Sequence, residues 1–149
     1  MNRDKSYIKR SHERCQKLSL DKNLKYSRIL LSQKELNDRL IRKRKLILAA
    51  IPFMNMLYDF VKGYDFFLIL TDEEGCILNI LGDQNILMEA FELKMIPGAF
   101  MSEEAIGTNA MGTALKEKGQ FRFQRMNTIY MPITNGPVLQ HLLETKREK

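Results

Sequence analysis

Residues 32–63 open on Ser32-Gln33-Lys34-Glu35 and close on Gly63. The S-x-x-E spacing is that of a capping box, in which the serine oxygen accepts from an orphan amide and the glutamate reaches back to the cap amide. A helix therefore starts here. Leu36, Leu40, Ile47, Ile51, Met54, Leu57, Tyr58 and Val61 recur mostly at steps of three, four or seven, while Arg39, Lys43 and Lys45 fall off that stripe. The pattern predicts one long helix with an apolar face. Pro52 is expected to bend or divide it, because proline removes an amide and crowds the preceding turn. Gly63 is the expected C-cap.

The next segment changes period. Phe66-Phe67-Leu68-Ile69-Leu70-Thr71 is a short apolar run, Asp72-Glu73-Glu74-Gly75 are turn residues, and Cys76-Ile77-Leu78-Asn79-Ile80-Leu81 is a second run. Together they predict a β-hairpin with a four-residue loop. Residues 84–94 carry Ile86, Leu87, Ala90, Phe91 and Leu93 at helical spacing and stop at Pro97-Gly98. After the acidic turn Ser102-Glu103-Glu104 comes Gly107-Thr108-Asn109-Ala110-Met111-Gly112-Thr113-Ala114-Leu115, which predicts a small-residue helix packed closely on a neighbour. Residues 1–31 are polar and basic, with scattered Tyr7, Ile8, Leu18, Leu20, Leu24, Ile29 and Leu30, and suggest short helices around a break at Asp21-Lys22-Asn23.

Composition and charge narrow the function classes. At 149 residues, 44% hydrophobic and 28% charged, the chain is that of one ordinary globular domain. Its net charge of +6 is unevenly spread. Residues 1–50 hold 15 Lys and Arg against 5 Asp and Glu, residues 51–120 hold 4 against 11, and residues 121–149 hold 5 against 2. Cys15 and Cys76 form no CxxC pair and stand with no histidine cluster, so neither a disulfide framework nor a zinc site is expected. The charged start MNRDKSYIKRSHER does not fit a secretory signal, and a cytoplasmic, reducing location is the expectation. The uncharged run LILAAIPFMNMLY falls short of the roughly 20 residues that a membrane-spanning helix needs.

No catalytic constellation is visible. Gly107 and Gly112 have the separation of the two P-loop glycines, but Thr113-Ala114 stand where that motif requires Lys and Ser or Thr. Without the lysine no point charge meets the phosphates. Ser11-His12 are sequence neighbours, which is not a triad. The run Arg42-Lys43-Arg44-Lys45 can be read as a nucleic-acid contact or as the solvated face of a helix; it has no accompanying aromatic or base-reading motif. Catalytic residues, metal ligands and cofactors are accordingly expected to be none.

The ordered set Ser11-His12-Glu13-Arg14-Cys15, Pro52-Phe53-Met54, Leu57-Tyr58, Thr71-Asp72, Glu74-Gly75, Pro97-Gly98-Ala99, Ser102-Glu103-Glu104 and Gly107 to Leu115 resembles the N-terminal sensory region of bacterial sigma-54-dependent activators of the acetoin catabolism regulator type. The likeness covers about residues 10–120, and the G-T-N-A-x-G-T-A-L string is its most specific part. It implies a GAF-type sensory domain. In that family an AAA+ ATPase that remodels the sigma-54 polymerase complex follows, then a Fis-like helix-turn-helix that binds enhancer DNA. This chain contains only the first of these. Met101 stands where the family usually has tryptophan.

A larger departure follows Gly119-Gln120, where the family continues with strands and a W-T-C-S-A-A-P-I segment. Take the third base of each codon from Gln120 onward with the first two bases of the next. Synonymous choice then permits I-S-I-S-A-D-E-H-Y-I-H-A-Y-H-K-W-T-C-S-A-A-P-I-R, the missing family segment. Two positions are forced: Met126 followed by Asn127 gives Glu, and Met131 followed by Pro132 gives Ala. Residues 121–149 are therefore expected to be an out-of-frame, poorly ordered tail.

The expected fold class is α+β: a partial GAF-like domain with a long helix packed on an incomplete antiparallel sheet and flanking helices. The expected organisation is a basic helical segment at 1–31, the partial sensory domain at 32–120 and the tail at 121–149. The resemblance implies a small-molecule effector held between the sheet and the small-residue helix, with Phe100, Thr108, Asn109 and Thr113 as candidate ligand-binding residues. It also implies sigma-54 RNA polymerase and enhancer DNA as partners of the whole parent; no membrane partner is expected from the short apolar run, and the long helix offers a face for a homodimer. Alternatives from other classes are a stand-alone basic protein binding nucleic acid or a partner helix, and a frameshift fragment without activity.

Overall fold

A computed structural model describes residues 6–21, 23–64, 66–118, 121–122 and 129–130. The elements in chain order are α1 (Ser6–Lys17), α2 (Gln33–Arg42), α3 (Arg44–Val61), β1 (Phe67–Thr71), β2 (Ile77–Gly82), α4 (Gln84–Glu92), α5 (Glu103–Ile106), α6 (Ala110–Glu117), β3 (Phe121–Arg122) and β4 (Ile129–Tyr130). The fold is α+β. Most of the expected tail at 121–149 lies outside the described residues; β3 and β4 pair antiparallel within it.

The capping box forms as the sequence requires. Ser32 accepts from the Glu35 amide, and the Glu35 carboxylate accepts from the Ser32 amide at 2.8 Å. The helix it starts is divided, but not at Pro52. The break falls at Lys43, and Pro52 lies inside α3. Pro52 and Leu48, four residues before it, are both exposed, so the carbonyl that loses its amide partner faces water and the kink costs less than it would in a core. At the actual break, Arg39 and Lys43 both reach to the acidic hairpin turn, which anchors α2 separately from α3. After Val61, Gly63 takes the left-handed conformation, φ 80°, expected one residue beyond a helix end.

The hairpin is antiparallel, with Phe67 opposite Gly82, Ile69 opposite Ile80 and Leu70 opposite Asn79. A bulge between Leu70 and Thr71 leaves Leu78 as the extra residue. It shifts the alternation, so Ile77 and Ile80 face one way while Leu78 and Leu81 face the other. Each face has its own core. On one side Leu70 and Leu78 pack with Ala50 and Met54 of α3; on the other Ile77 packs with Ala90, Met95, Ala99, Met101, Met111 and Ala114. The hairpin is thus the middle layer between α3 and the α4–α6 half.

Residues 24–31 differ from the expected short helix. They run irregularly along 98–105: the Arg28 amide donates to Ala105 O, the Leu31 amide to Gly98 O, and Ile29 O accepts from the Phe100 amide. Leu24, Ile29 and Leu30 lack helical periodicity, so nothing local competes with this edge pairing.

Gly112 shows why the small-residue string is small. A Cβ there would stand 2.7 Å from the Glu103 backbone nitrogen and 2.9 Å from Met101 O. Both are main-chain atoms that cannot swing away. Gly112→Ala should therefore destabilise the chain by about 1–3 kcal/mol through overpacking, despite the higher helix propensity of alanine. Urea unfolding of the two proteins side by side checks this; an unchanged or raised midpoint would contradict it.

Candidate functional site

The functional candidates gather where α1 lies on α5 and α6. Glu103 is 1% exposed and starts α5. Arg14 of α1 grips it with two bonds, Nε to Oε2 at 2.7 Å and Nη2 to Oε1 at 2.8 Å. The same guanidinium donates Nη1 to Glu117 Oε1 at 2.6 Å, and Arg10 reaches Glu117 Oε2 at 2.6 Å. A planar fork between two carboxylates is a geometry that lysine could not supply. The Arg14 pKa is raised above its ordinary value, first by the bond to Glu103 and against the opposing effect of burial. Burial alone would raise that of Glu103, but the bonds from Arg14, Ser11 and Thr113 outweigh it and the net shift is downward. Glu117, bonded by Arg10 and then Arg14, is held at about 2.

Hydroxyls continue the network. Thr113 Oγ1 lies 3.2 Å from Glu103 Oε1 and 3.2 Å from Ser11 Oγ, and both residues are fully buried. Ser11 Oγ is 3.1 Å from Thr108 Oγ1, which in turn is 3.5 Å from Cys15 Sγ. A continuous path of hydrogen bonds therefore runs from Arg14 through Glu103, Thr113, Ser11 and Thr108 to Cys15. Among the described residues no buried side-chain nitrogen or oxygen lacks a partner.

Beside this path is a half-open cavity of about 640 Å³. His12, Cys15 and Gln16 line it from α1, Ser19, Leu20, Asp21 and Leu24 from the segment that follows, and Ile106, Gly107 and Thr108 from the α5–α6 connection. Its size is within the usual range for a small-molecule site. Among the described residues no group of three or more His, Cys, Asp or Glu could hold a metal ion.

The four residues singled out in the sequence are placed as follows. Thr108 lines the cavity. Asn109 caps α6: its Oδ1 accepts from the Gly112 amide at 3.0 Å, and its Nδ2 donates to Gly107 O at 2.8 Å and Met101 O at 3.0 Å. Thr113 is in the buried network. Phe100 stands apart, its ring 5.0 Å beneath the Arg39 guanidinium. Between the sheet and α6 the side chains of Ile77, Met101, Met111 and Ala114 are buried together. Sequence reasoning did not assign a binding role to His12, Cys15, Gln16, Asp21 or Leu24. The signal available was the Ser11–Cys15 string, in which Ser11 and Arg14, three apart, join the Glu103 network while His12 and Cys15, three apart, line the cavity.

Arg39 forms a second charged cluster. It is 8% exposed and donates Nε to Asp72 Oδ2 at 2.6 Å and Nη2 to Glu74 Oε2 at 2.5 Å. Asp72 Oδ1 accepts from the Glu74 and Cys76 amides and so shapes the hairpin turn. Burial, then the charge of Asp72, pushes the Cys76 thiol up to about 11.

Comparison with known proteins finds relatives among regulators. The chain is 39% identical over 110 residues to a signal-transduction and transcriptional-control protein of Clostridium beijerinckii. The chain is homologous to a segment of bacterial transcriptional regulators. It is also 32% identical over 108 residues to the acetoin dehydrogenase operon transcriptional activator AcoR of Bacillus subtilis. The matches take in 74% and 72% of this chain but only 17% and 18% of those regulators, so it spans less than a fifth of their length. A chain in the crystal structure of the E. coli DhaR(N)–DhaL complex superposes with a TM-score of 0.70 at 23% identity, over 77% of this chain and 39% of that one. That likeness shows the fold. No family model matches the sequence.

Proposed function

We propose that residues 6–118 are the small-molecule-sensing portion of a sigma-54-dependent transcriptional regulator, acting in the cytoplasm and regulatory rather than enzymatic. The observation that carries this is the 39% identity, over 110 residues, to a signal-transduction and transcriptional-control protein. The geometry supports it. A cavity shared by α1 and the α5–α6 connection touches the same hydrogen-bond path that fastens α1 in place. An effector that binds one arrangement of α1 more tightly than another shifts the population between them, and linkage passes that shift onward. In the whole regulator the onward partners are the polymerase and enhancer DNA, bound through segments outside this chain. Residues 121–149 are, in this reading, translated from a shifted frame.

Part of the basic first third is turned inward and is not offered to nucleic acid. Arg10, Arg14, Arg39 and Lys43 are spent on carboxylates of the same chain.

The test is a reporter assay in which the gene is rebuilt with the frame restored after codon 120 and placed with a sigma-54-dependent promoter. Acetoin, suggested by the operon that the Bacillus subtilis relative activates, is the first compound to add. Induction by it or another small molecule is expected, with the response lost in Arg14→Ala. Reporter output that ignores every compound tried while the protein accumulates normally would contradict a sensing role.

A further inference from the structure

We propose that copies of this chain associate head to tail, the basic corner where α2 meets α3 on one copy seating on the acidic outer face of α4 on the next. The association goes beyond the sensing role and does not depend on it. At the corner, Arg39 and Lys43 turn in to the hairpin carboxylates Asp72 and Glu73, while Arg42, Arg44 and Lys45 are exposed. Ile41, 67% exposed, and Leu48, 66% exposed, flank them. Arg44 and Lys45 precede Leu48 by four and three residues and are therefore its neighbours on the helix surface. On α4, Ala90 faces the core, and Met88, Glu89, Phe91 and Glu92 are exposed. The next cation along the chain, Lys94, lies over the Tyr26 ring at 4.9 Å. Glu89 and Glu92 sit near the C-terminal end of α4, where the helix dipole favours cations, and its last turn holds none. These carboxylates are thus unfavourable to their own helix and complementary to the corner.

Each surface joins exposed apolar side chains to charge of one sign, and a second copy supplies the opposite sign together with apolar groups to cover. The layers keep the two surfaces apart. α3 packs through Ala50 and Met54 on one face of the hairpin, and α4 packs through Ala90 on the other. Their outer faces therefore point away from each other and cannot meet within one chain. A contact between opposite sides of a molecule is heterologous, so it continues from copy to copy instead of closing at two. A patch of helix size belongs with weak, transient interfaces, and association should appear only as concentration rises.

The experiment is sedimentation of the full chain over a range of concentrations at low and high salt, with two charge-reversed variants. One is Arg44→Glu with Lys45→Glu, and the other is Glu89→Lys with Glu92→Lys. Each reversal lies at exposed positions and gives its helix end the charge that the dipole favours, so far-UV circular dichroism should be unchanged. In the unaltered chain the average mass should climb past that of a dimer with concentration and fall with added salt. Either reversal alone should weaken association about tenfold or more, through like charges brought together. An equimolar mixture of the two variants should restore it, because acidic corners then meet basic α4 faces. The proposal is overturned if the mass levels off at a dimer, if salt has no effect, if the α4 reversal leaves association unchanged, or if the mixture stays as weakly associated as its components. Should a reversal lower the helix content, the neutral pairs Arg44→Gln with Lys45→Gln and Glu89→Gln with Glu92→Gln carry the same test. Each should weaken association, and unchanged association in both would overturn the proposal.

Discussion

Replacing Arg39 by methionine should cost the chain about 3–5 kcal/mol, the largest loss expected from any single substitution in it. Asp72 has a side chain with 0% exposure, and Arg39 is its counter-charge at 2.6 Å. Methionine keeps the apolar stem but leaves that carboxylate buried and uncompensated. A domain of this size holds about 5–15 kcal/mol in total, so the variant should be close to unfolded at room temperature. Removing the charge on the other side should recover much of the loss. In Arg39→Met with Asp72→Asn, the asparagine Oδ1 can still accept from the Glu74 and Cys76 amides and keep the turn. The double variant should therefore be more stable than Arg39→Met alone, a coupling that a double-mutant cycle by urea unfolding measures directly. Additive losses would show that the pair does not hold the hairpin turn to α2.

Glu103→Gln should be the next most costly change, about 3 kcal/mol, because it takes the partner from a guanidinium that is 30% exposed and relieves only part of the burial. Thr113 can still bond the new amide oxygen, and Glu117 still neutralises Arg14, which keeps the loss at the lower end of the range. The pair also gives the chain an acid dependence whose sign is fixed. Both Glu103 and Glu117 have folded pKa values below the ordinary carboxylate value of 4.5, with Glu117 at about 2. Their contribution is therefore fully present above about pH 4.5 and is lost as pH falls through the folded values toward 2. In Glu103→Gln the stability should fall less steeply over that window than in the unaltered chain. Urea midpoints measured at intervals from pH 5 downward, in the range where linkage acts, decide this, and parallel curves would contradict it. Because α1 is held by these carboxylates, circular dichroism should also show helix loss preceding the main acid transition.

The sequence makes the framework legible wherever local chemistry and burial agree. The Ser32–Glu35 box, the hairpin around Asp72–Gly75 and the α4 stretch ending before Pro97-Gly98 all formed as their residues dictate. Where tertiary contacts decided, the pattern was silent. Pro52 is the strongest breaker in the helix, yet the break is at Lys43, because side chains four residues apart are pulled to the acidic turn from across the fold. Residues 24–31 pair with 98–105 through main-chain bonds that no side-chain periodicity encodes. Of the site, Gly107, Thr108, Asn109, Gly112 and Thr113 could be picked out as an unusual string of small and polar residues. Their division into cavity wall, helix cap, close-packing point and buried bond could not, since it depends on where α1 docks. That Arg10, Arg14 and Arg39 of the basic first third face carboxylates of the same chain could likewise not be read from composition.

The most direct measurement is the nucleotide sequence of the gene from codon 120 onward. If this chain is the sensing portion of a regulator, the frame that takes the third base of each codon with the next two must read through W-T-C-S-A-A-P-I where codons 135–143 now give Asn-Gly-Pro-Val-Leu-Gln-His-Leu-Leu. It should then continue, without a stop, into an ATPase and a helix-turn-helix. A shifted frame that stops within those codons, or that spells another sequence there, would contradict the account.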